Sequence, residues 1–342
     1  MKTVLTGDRP TGKLHLGHFT GSIRERLKLQ NSGEYEMYIM IADVQALTDN
    51  FKDPKKIKDH VLDVAIDNLA CGIDPNKTTL FVQSSVKPLF EATIYFMNLV
   101  TLARALRNPT VKQEIKLRNF DQDIPLGFLN YPISQAADIL LFDTDIVPVG
   151  NDQEPMIEQT REIAKCFNNY YGDTLKLPEI LLNTNLKAQR LVGLDGEQKM
   201  SKSLNNAIFL GDSEEELKSK VMKMYTDPNH IRVEDPGKIE GNTVFTYLDV
   251  FSNNEYFSQY LPQYNNLQEL KDAYQKGGVG DVLIKKFLFN VLNDILKPIR
   301  EKRRYYEENI DLVKDILKKG NIKANKKALE VITEMRKKMM VE

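Results

Sequence analysis

Two short segments carry residue types suited to gripping a polyphosphate: His15-Leu16-Gly17-His18 near the start of the chain and Lys199-Met200-Ser201-Lys202-Ser203 beyond its middle. His15 and His18 are three residues apart, so on a helix they share a face, and imidazole N–H groups there donate hydrogen bonds to phosphate oxygens. Lys199 and Lys202 are flexible point charges, flanked by two hydroxyls and preceded by the Gly193-Leu194-Asp195-Gly196 turn. Ammonium groups on such stems follow negative charge as it moves from an α-phosphate to a departing pyrophosphate, which suits nucleotidyl transfer. Singly, each segment has a plainer reading. Gly17 and Gly21 permit close helix packing beside ordinary polar histidines, and a lysine–serine run is a solvated loop.

The first segment needs a strand and a turn ahead of it. Thr3-Val4-Leu5 is a short apolar strand, Thr6-Gly7-Asp8-Arg9-Pro10-Thr11-Gly12 a glycine-rich turn, and Leu14, Phe19, Ile23 and Leu27 follow helical spacing. That order brings backbone N–H groups and a helix dipole to one anion site. The turn is neither G-x-G-x-x-G with a following acid nor G-x-x-x-x-G-K-[ST], so it does not define a nucleotide fold by itself. In the middle of the chain, Ile133, Ala136, Ala137, Leu140 and Leu141 recur at helical spacing and surround Asp138 with apolar residues. A carboxylate there requires a partner, either a neighbouring arginine or lysine or a donor brought by a ligand. Asp145-Ile146-Val147-Pro148-Val149 then reads as a buried strand, and Gly150-Asn151-Asp152-Gln153 as the turn into a helix from Glu154 to Tyr170, with Asp152 as its N-cap. Ligands collect at the carboxyl ends of parallel strands.

The two charged segments resemble the paired signatures of class I aminoacyl-tRNA synthetases. The stretch from Tyr131 to Phe142, continued from Asp145 to Gln153, is similar to the amino-acid pocket of the bacterial tryptophan-specific members, and the likeness covers essentially the whole chain. It implies an α/β fold in which a Rossmann-like parallel sheet binds ATP, with Mg2+, and L-tryptophan. It further implies an all-helical domain that reads the anticodon of tRNA(Trp), and a homodimer in which one tRNA touches both subunits. The division expected is a catalytic domain over 1–200, an anticodon-binding domain over 201–295, and C-terminal helices over 296–342 that pack back toward the catalytic domain.

By the same resemblance, His15, His18, Lys199 and Lys202 stabilise charge in the reaction. Arg9, Pro10, Thr11, Gly17, His18, Gly150, Asn151, Asp152 and Arg190 contact the nucleotide, together with all five residues from Lys199 to Ser203; Gly150 and Asp152 hold its ribose. Leu5, Gly7, Tyr131, Gln135, Asp138, Val147, Val149 and Gln153 bind the amino acid, with Val147 and Val149 lining the indole slot. Asp138 accepts the indole N–H, so a phenylalanine in that slot would leave the carboxylate unpaired. No resident metal site is expected. Two positions depart from the family pattern: many bacterial relatives carry asparagine where His18 stands and methionine where Gln135 stands, and Gln135 makes this pocket more polar. Three other readings stay open: a tyrosine-specific synthetase, a synthetase-like RNA-binding or regulatory protein without catalysis, and a plain adenylyltransferase, which needs no helical second domain.

At 342 residues, 42% hydrophobic and 28% charged, the chain holds enough apolar material for two cores. Strand candidates at Val4, Tyr38 to Ala42, Leu80 to Gln83 and Ile146 to Val149 alternate with helical stretches at Lys55 to Ala70, Leu89 to Leu106 and Glu154 to Tyr170, which specifies a parallel sheet covered by helices. Beyond Ser203, charged amphipathic segments take over at Glu214 to Tyr225, Val282 to Tyr306 and Lys323 to Met340. A net charge of -1 leaves a nucleic-acid partner open, because local clustering decides that question. Lys297 to Tyr306 is such a basic run with aromatic residues, or else a solvated helix face with i,i+4 ion pairs. Cys71 and Cys166 are too few and too far apart for a disulfide framework or a metal site, which points to a reducing compartment. The N-terminus shows no charged leader with an apolar stretch, and no apolar run approaches membrane-spanning length, so a cytoplasmic location is expected. The chain contains no tryptophan.

Overall fold

The computed structural model describes residues 1–117, 120, 123–182, 191–198, 200 and 204–341. Arg190, Lys199, Ser201, Lys202 and Ser203, all named above as nucleotide contacts, lie outside the described residues. Five strands, β1 (Lys2–Asp8), β2 (Tyr35–Ile41), β3 (Thr78–Val82), β4 (Ile146–Val149) and β5 (Glu179–Leu182), form one sheet in the order β3-β2-β1-β4-β5. Every pairing is parallel, with β1 and β2 in register from Lys2 opposite Tyr35 to Asp8 opposite Ile41. Met37 to Ile41 are buried without alternation, as befits a strand covered by helices on both faces. Strand order reverses between β1 and β4, and the crevice beyond their carboxyl ends is where such a sheet binds ligands.

The chain divides into two compact units: one of Met1–Gly12, Ser22–Asn183 and Tyr306–Glu342, the other of Lys13–Gly21 and Thr184–Tyr305. These units draw the boundaries differently from the three sequence segments, since 13–21 goes with 184–305, while 306–342 goes with the sheet. The sheet unit carries α2 (Arg24–Ser32), α3 (Asp43–Asn50), α4 (Pro54–Ala70), α5 (Pro88–Met97), α6 (Leu102–Arg107), α7 (Pro109–Leu117), α8 (Leu126–Leu140) and α9 (Glu154–Tyr171), together with the C-terminal α15 (Ile310–Met339). Its core joins Leu5, Tyr38, Phe81, Phe96, Ala136, Phe142, Val147 and Phe167 to Ala324, Ala328 and Ile332 of α15. That last helix runs along β3, which is an edge strand, and closes it: the Val82 N–H donates to Asn321 Oδ1 at 2.8 Å.

The second unit holds the short α1 (Leu16–His18), then α10 (Glu214–Met222), α11 (Thr243–Phe251), α12 (Asn254–Tyr260), α13 (Leu267–Lys276) and α14 (Asp281–Glu308) as far as Tyr305. Its interior packs Val244, Phe245, Leu248, Phe257, Ile284, Phe287 and Leu288. Three elements differ from the sequence reading. β5 is four residues long and only half-buried, too short for a period to show. The helix expected over Leu89 to Leu106 is two, because the chain leaves α5 at Asn98 and Thr101 starts α6, its hydroxyl accepting the Arg104 N–H at 3.2 Å. Asp152 does not cap α9; it sits in a 3-10 turn, Asn151–Gln153, and the residue at the N-cap is Gln153.

Candidate active site

Asp138 lies on α8 with its side chain 1% exposed, and its partners are amides rather than the arginine or lysine that a buried helix aspartate ordinarily finds. Gln83 Nε2, in the turn that follows β3, donates to both carboxylate oxygens at 2.8 Å. Gln45 Nε2 on α3 donates to the Tyr131 carbonyl at 3.2 Å and makes a longer contact of 3.5 Å with Asp138. Burial pushes the Asp138 carboxyl up to about 7, against the downward pull of the two glutamines, and Asp43 raises it further. Tyr131 and Gln135 are half-buried on the same helix, and burial holds the Tyr131 hydroxyl well above its ordinary range, so it remains a donor. Leu5 and Val147 belong to the buried core, with Val149 packed at its margin.

At the carboxyl end of β1, Arg26 is 1% exposed and grips Asp8 with both guanidinium nitrogens, Nη1 at 2.5 Å and Nη2 at 3.0 Å. Its Nη2 also donates to the Gly7 carbonyl and the Thr6 hydroxyl, and Asn68 of α4 completes the cluster. This ties the strand end that launches Arg9, Pro10 and Thr11 to two helices. Arg9 in turn pairs with Asp49 of α3 at 2.7 Å, and the Thr11 N–H closes the turn onto the Arg9 carbonyl. At the end of β4, Gly150 leads into the 3-10 turn, where Asn151 and Asp152 are exposed and Gln153 Nε2 donates to the Asp152 carboxylate at 3.2 Å. The sheet unit thus carries Leu5 and Val147 on the neighbouring strands β1 and β4, the turn residues at the carboxyl ends of those strands, and Asp138 against the turn that follows β3.

In the second unit, His15 and His18 cap each other. His15 Nδ1 accepts the Gly17 N–H at 3.1 Å and His18 Nδ1 accepts the His15 N–H at 3.3 Å, with ring centroids 4.0 Å apart. Each neutral ring therefore carries its proton on Nε2. Gly17 has room for no side chain: a Cβ there would stand 3.0 Å from His15 Nδ1, and 3.8 Å from the Cβ of buried Met200. Met200, the one described residue of the second charged segment, thus lies against Gly17 of the first inside this unit. Both flanks of 199–203 are fastened. Leu194 N–H donates to the Asn206 carbonyl at 2.9 Å, and residues 14–16 pair with 208–210 through Leu16 N–H to Ile208 and Leu210 N–H to Leu14.

Sequence reasoning missed Gln83, Gln45, Asp8 and Arg26. Gln83 stood at the end of a strand that the sequence had identified, which is where ligand-facing groups gather. The Asp8–Arg26 pair spans a helix start and carried no local signal.

Residues 1–297 match the family model described as tRNA synthetases class I (W and Y). The chain is 55% identical over 338 residues to the tryptophan–tRNA ligase of Lactococcus lactis subsp. lactis, covering 98% of this chain and 97% of that protein. It is 54% identical over 337 residues to the tryptophan–tRNA ligase of Streptococcus mutans, with 98% and 97% covered. Among solved structures, the tryptophanyl-tRNA synthetase from Campylobacter jejuni complexed with ADP and tryptophan superposes with a TM-score of 0.84 at 34% identity, over 98% of this chain and 99% of that one. A strand order that opens a crevice at the carboxyl ends of β1 and β4, a buried carboxylate held by amides, and Met200 of one charged segment lying against Gly17 of the other accompany a match of that length: the chain belongs to the class I tRNA synthetases of the tryptophan and tyrosine group.

Proposed function

We infer that this protein activates L-tryptophan with ATP and esterifies it to the 3' end of tRNA(Trp). The observation that carries the amino-acid choice is the buried Asp138, whose carboxylate has amide partners alone among the described residues and retains acceptor capacity for one more donor. The indole N–H is a donor with no competing acceptor, so tryptophan satisfies it and phenylalanine leaves it unpaired. The relatives' activity and the nucleotide and amino acid held by the Campylobacter jejuni structure support the same assignment.

In the first step, the tryptophan carboxylate attacks the α-phosphorus in line, the α–β bridging bond breaks, and pyrophosphate leaves with that electron pair. Tryptophanyl-adenylate remains, and no covalent enzyme intermediate is needed. The Nε2–H groups of His15 and His18 and the ammonium groups of Lys199 and Lys202 stabilise the charge that grows on the leaving group. In the second step, a terminal ribose hydroxyl of the tRNA attacks the acyl carbon and AMP departs. Mg2+ would come with ATP as its counter-ion and would offset phosphate charge; among the described residues no group of three histidine, cysteine, aspartate or glutamate side chains is placed to hold a metal. Gly150, Asp152 and the Arg9–Thr11 turn contact the nucleotide in this reading.

A homodimer is part of the proposal. Phe90, Ile94 and Met97 of α5 are exposed at helical spacing, with Ile94 62% exposed, and Leu102 at the start of α6 is exposed as well. Among the described residues no helix is long and apolar enough to cross a membrane, which accords with a cytoplasmic place in translation. ATP–pyrophosphate exchange with tryptophan, tyrosine and phenylalanine in turn tests the assignment. Exchange with tryptophan alone is expected; preference for tyrosine, or no exchange with any amino acid, would overturn it.

A further inference from the structure

We propose that Gln83, its amide fixed by the Gln45 backbone, is the positioning residue that aims the Asp138 carboxylate at the indole N–H and thereby sets selection for a ring that donates a hydrogen bond. This rests on Asp138 being the indole acceptor. The Gln83 amide is already engaged at both ends, its oxygen by the Gln45 N–H and its nitrogen by the Asp138 carboxylate, so it acts through Asp138 and not on the substrate.

The orientation of the Gln83 amide is determined by chemistry. Its Oε1 accepts the Gln45 N–H at 3.0 Å while its Nε2 bridges both Asp138 oxygens at 2.8 Å. Flipping the amide would set oxygen against carboxylate and NH2 against N–H, so one arrangement survives. The turn that carries it is laced to the start of α3 a second time, by the Ser84 N–H donating to Asp43 Oδ1 at 2.9 Å. A lysine in place of Gln83 would neutralise the carboxylate in the empty pocket. Two neutral amides hold its direction without satisfying its charge, and among the described residues the charged side chain that acts on it is another acid, Asp43. Part of the drive to bind a donor is thus built into the empty site.

Three variants test this, read out by ATP–pyrophosphate exchange and by tryptophan binding. Binding is followed by the ligand's own indole fluorescence, which is clean because the chain has no tryptophan. Gln83→Met should raise the KM for tryptophan about tenfold to a hundredfold, leave the KM for ATP unchanged, and shrink by the same factor the preference over benzothienylalanine, in which sulfur replaces the ring N–H. Gln83→Glu keeps the shape but donates only while the carboxyl pair shares a proton. Its tryptophan affinity should be retained at acid pH and fall as pH rises, the reverse of the native enzyme. Should Gln83→Met fail to fold, the Gln83→Glu profile carries the test. Unchanged preference and a native pH slope in the Gln83 variants, while Asp138→Ala abolishes the preference, would sink the role of Gln83 alone. A preference that survives Asp138→Ala would sink the reading of Asp138, and the inference with it.

Discussion

Asp138 shows how a single residue links pocket chemistry to solution conditions. Burial raises its carboxyl from 3.8 to about 7, so between those values the folded chain holds a proton that the unfolded chain has released. Where the native state binds more protons, stability falls as pH rises, so the empty protein should lose stability across that window and level off above it. Tryptophan binding has the opposite sign, because accepting an indole N–H requires the ionised carboxylate. Affinity should be constant above about pH 7 and fall up to about tenfold for each unit below it. Fluorescence titration of tryptophan without ATP, over a pH series, checks this, and an affinity flat down to about pH 5 would contradict it. The sequence showed that Asp138 sat among apolar residues, and the resemblance supplied its ligand. What answered it inside the protein was not legible, because Gln83 and Gln45 lie 55 and 93 residues away from Asp138 along the chain, and a glutamine carries no pattern of its own.

Among the elements, α15 is the one whose seat depends on a single missing side chain. Gly320 faces β3 so closely that a Cβ on it would lie 1.8 Å from the Leu80 carbonyl oxygen, a backbone atom that cannot turn aside. One residue on, Asn321 accepts the Val82 N–H, and Asn325 accepts the Lys87 N–H at 3.2 Å, so the helix occupies the open edge of the sheet. Gly320→Ala must move the helix or the strand, and overpacking of this kind costs about 1–3 kcal/mol or more. Denaturant unfolding should show that loss with tryptophan-dependent exchange retained below the transition; an alanine variant of native stability would mean that the close approach does not exist. The strands β1 to β4 were legible from the short apolar stretches at their centres, Val4-Leu5, Tyr38 to Ile41, Leu80 to Val82 and Ile146 to Val149. The glycine at 320 was not, since within a charged helical segment it reads as a weak point and only the neighbouring strand gives it a purpose. The Asp152 cap failed for a related reason: the chain takes a 3-10 turn before α9 starts, which moves that carboxylate out of capping position.

At the scale of the whole molecule, the two signature segments were read as one site from their chemistry, and of the second segment the structure describes Met200, which lies against Gly17 within the second unit. No local period foretells that 13–21 folds with 184–305, because that pairing rests on hydrogen bonds such as Leu16 to Ile208 across most of the chain. Assembly is the next level, and α5 bears on it. A stripe of Phe90, Ile94 and Met97 in water is unfavourable for a lone chain, and a two-fold axis would bury it against its own copy. Ile94→Asp places a charge in the middle of that stripe, where a symmetric contact would bring two such charges together. Native protein should sediment as a dimer and the variant as a monomer. Because Ile94 is far from burial, the variant should keep its folded signal and its affinity for tryptophan, while aminoacylation of tRNA(Trp) falls if one tRNA needs both subunits. A native protein that sediments as a single chain at micromolar concentration, or a variant that stays dimeric, would place the contact elsewhere.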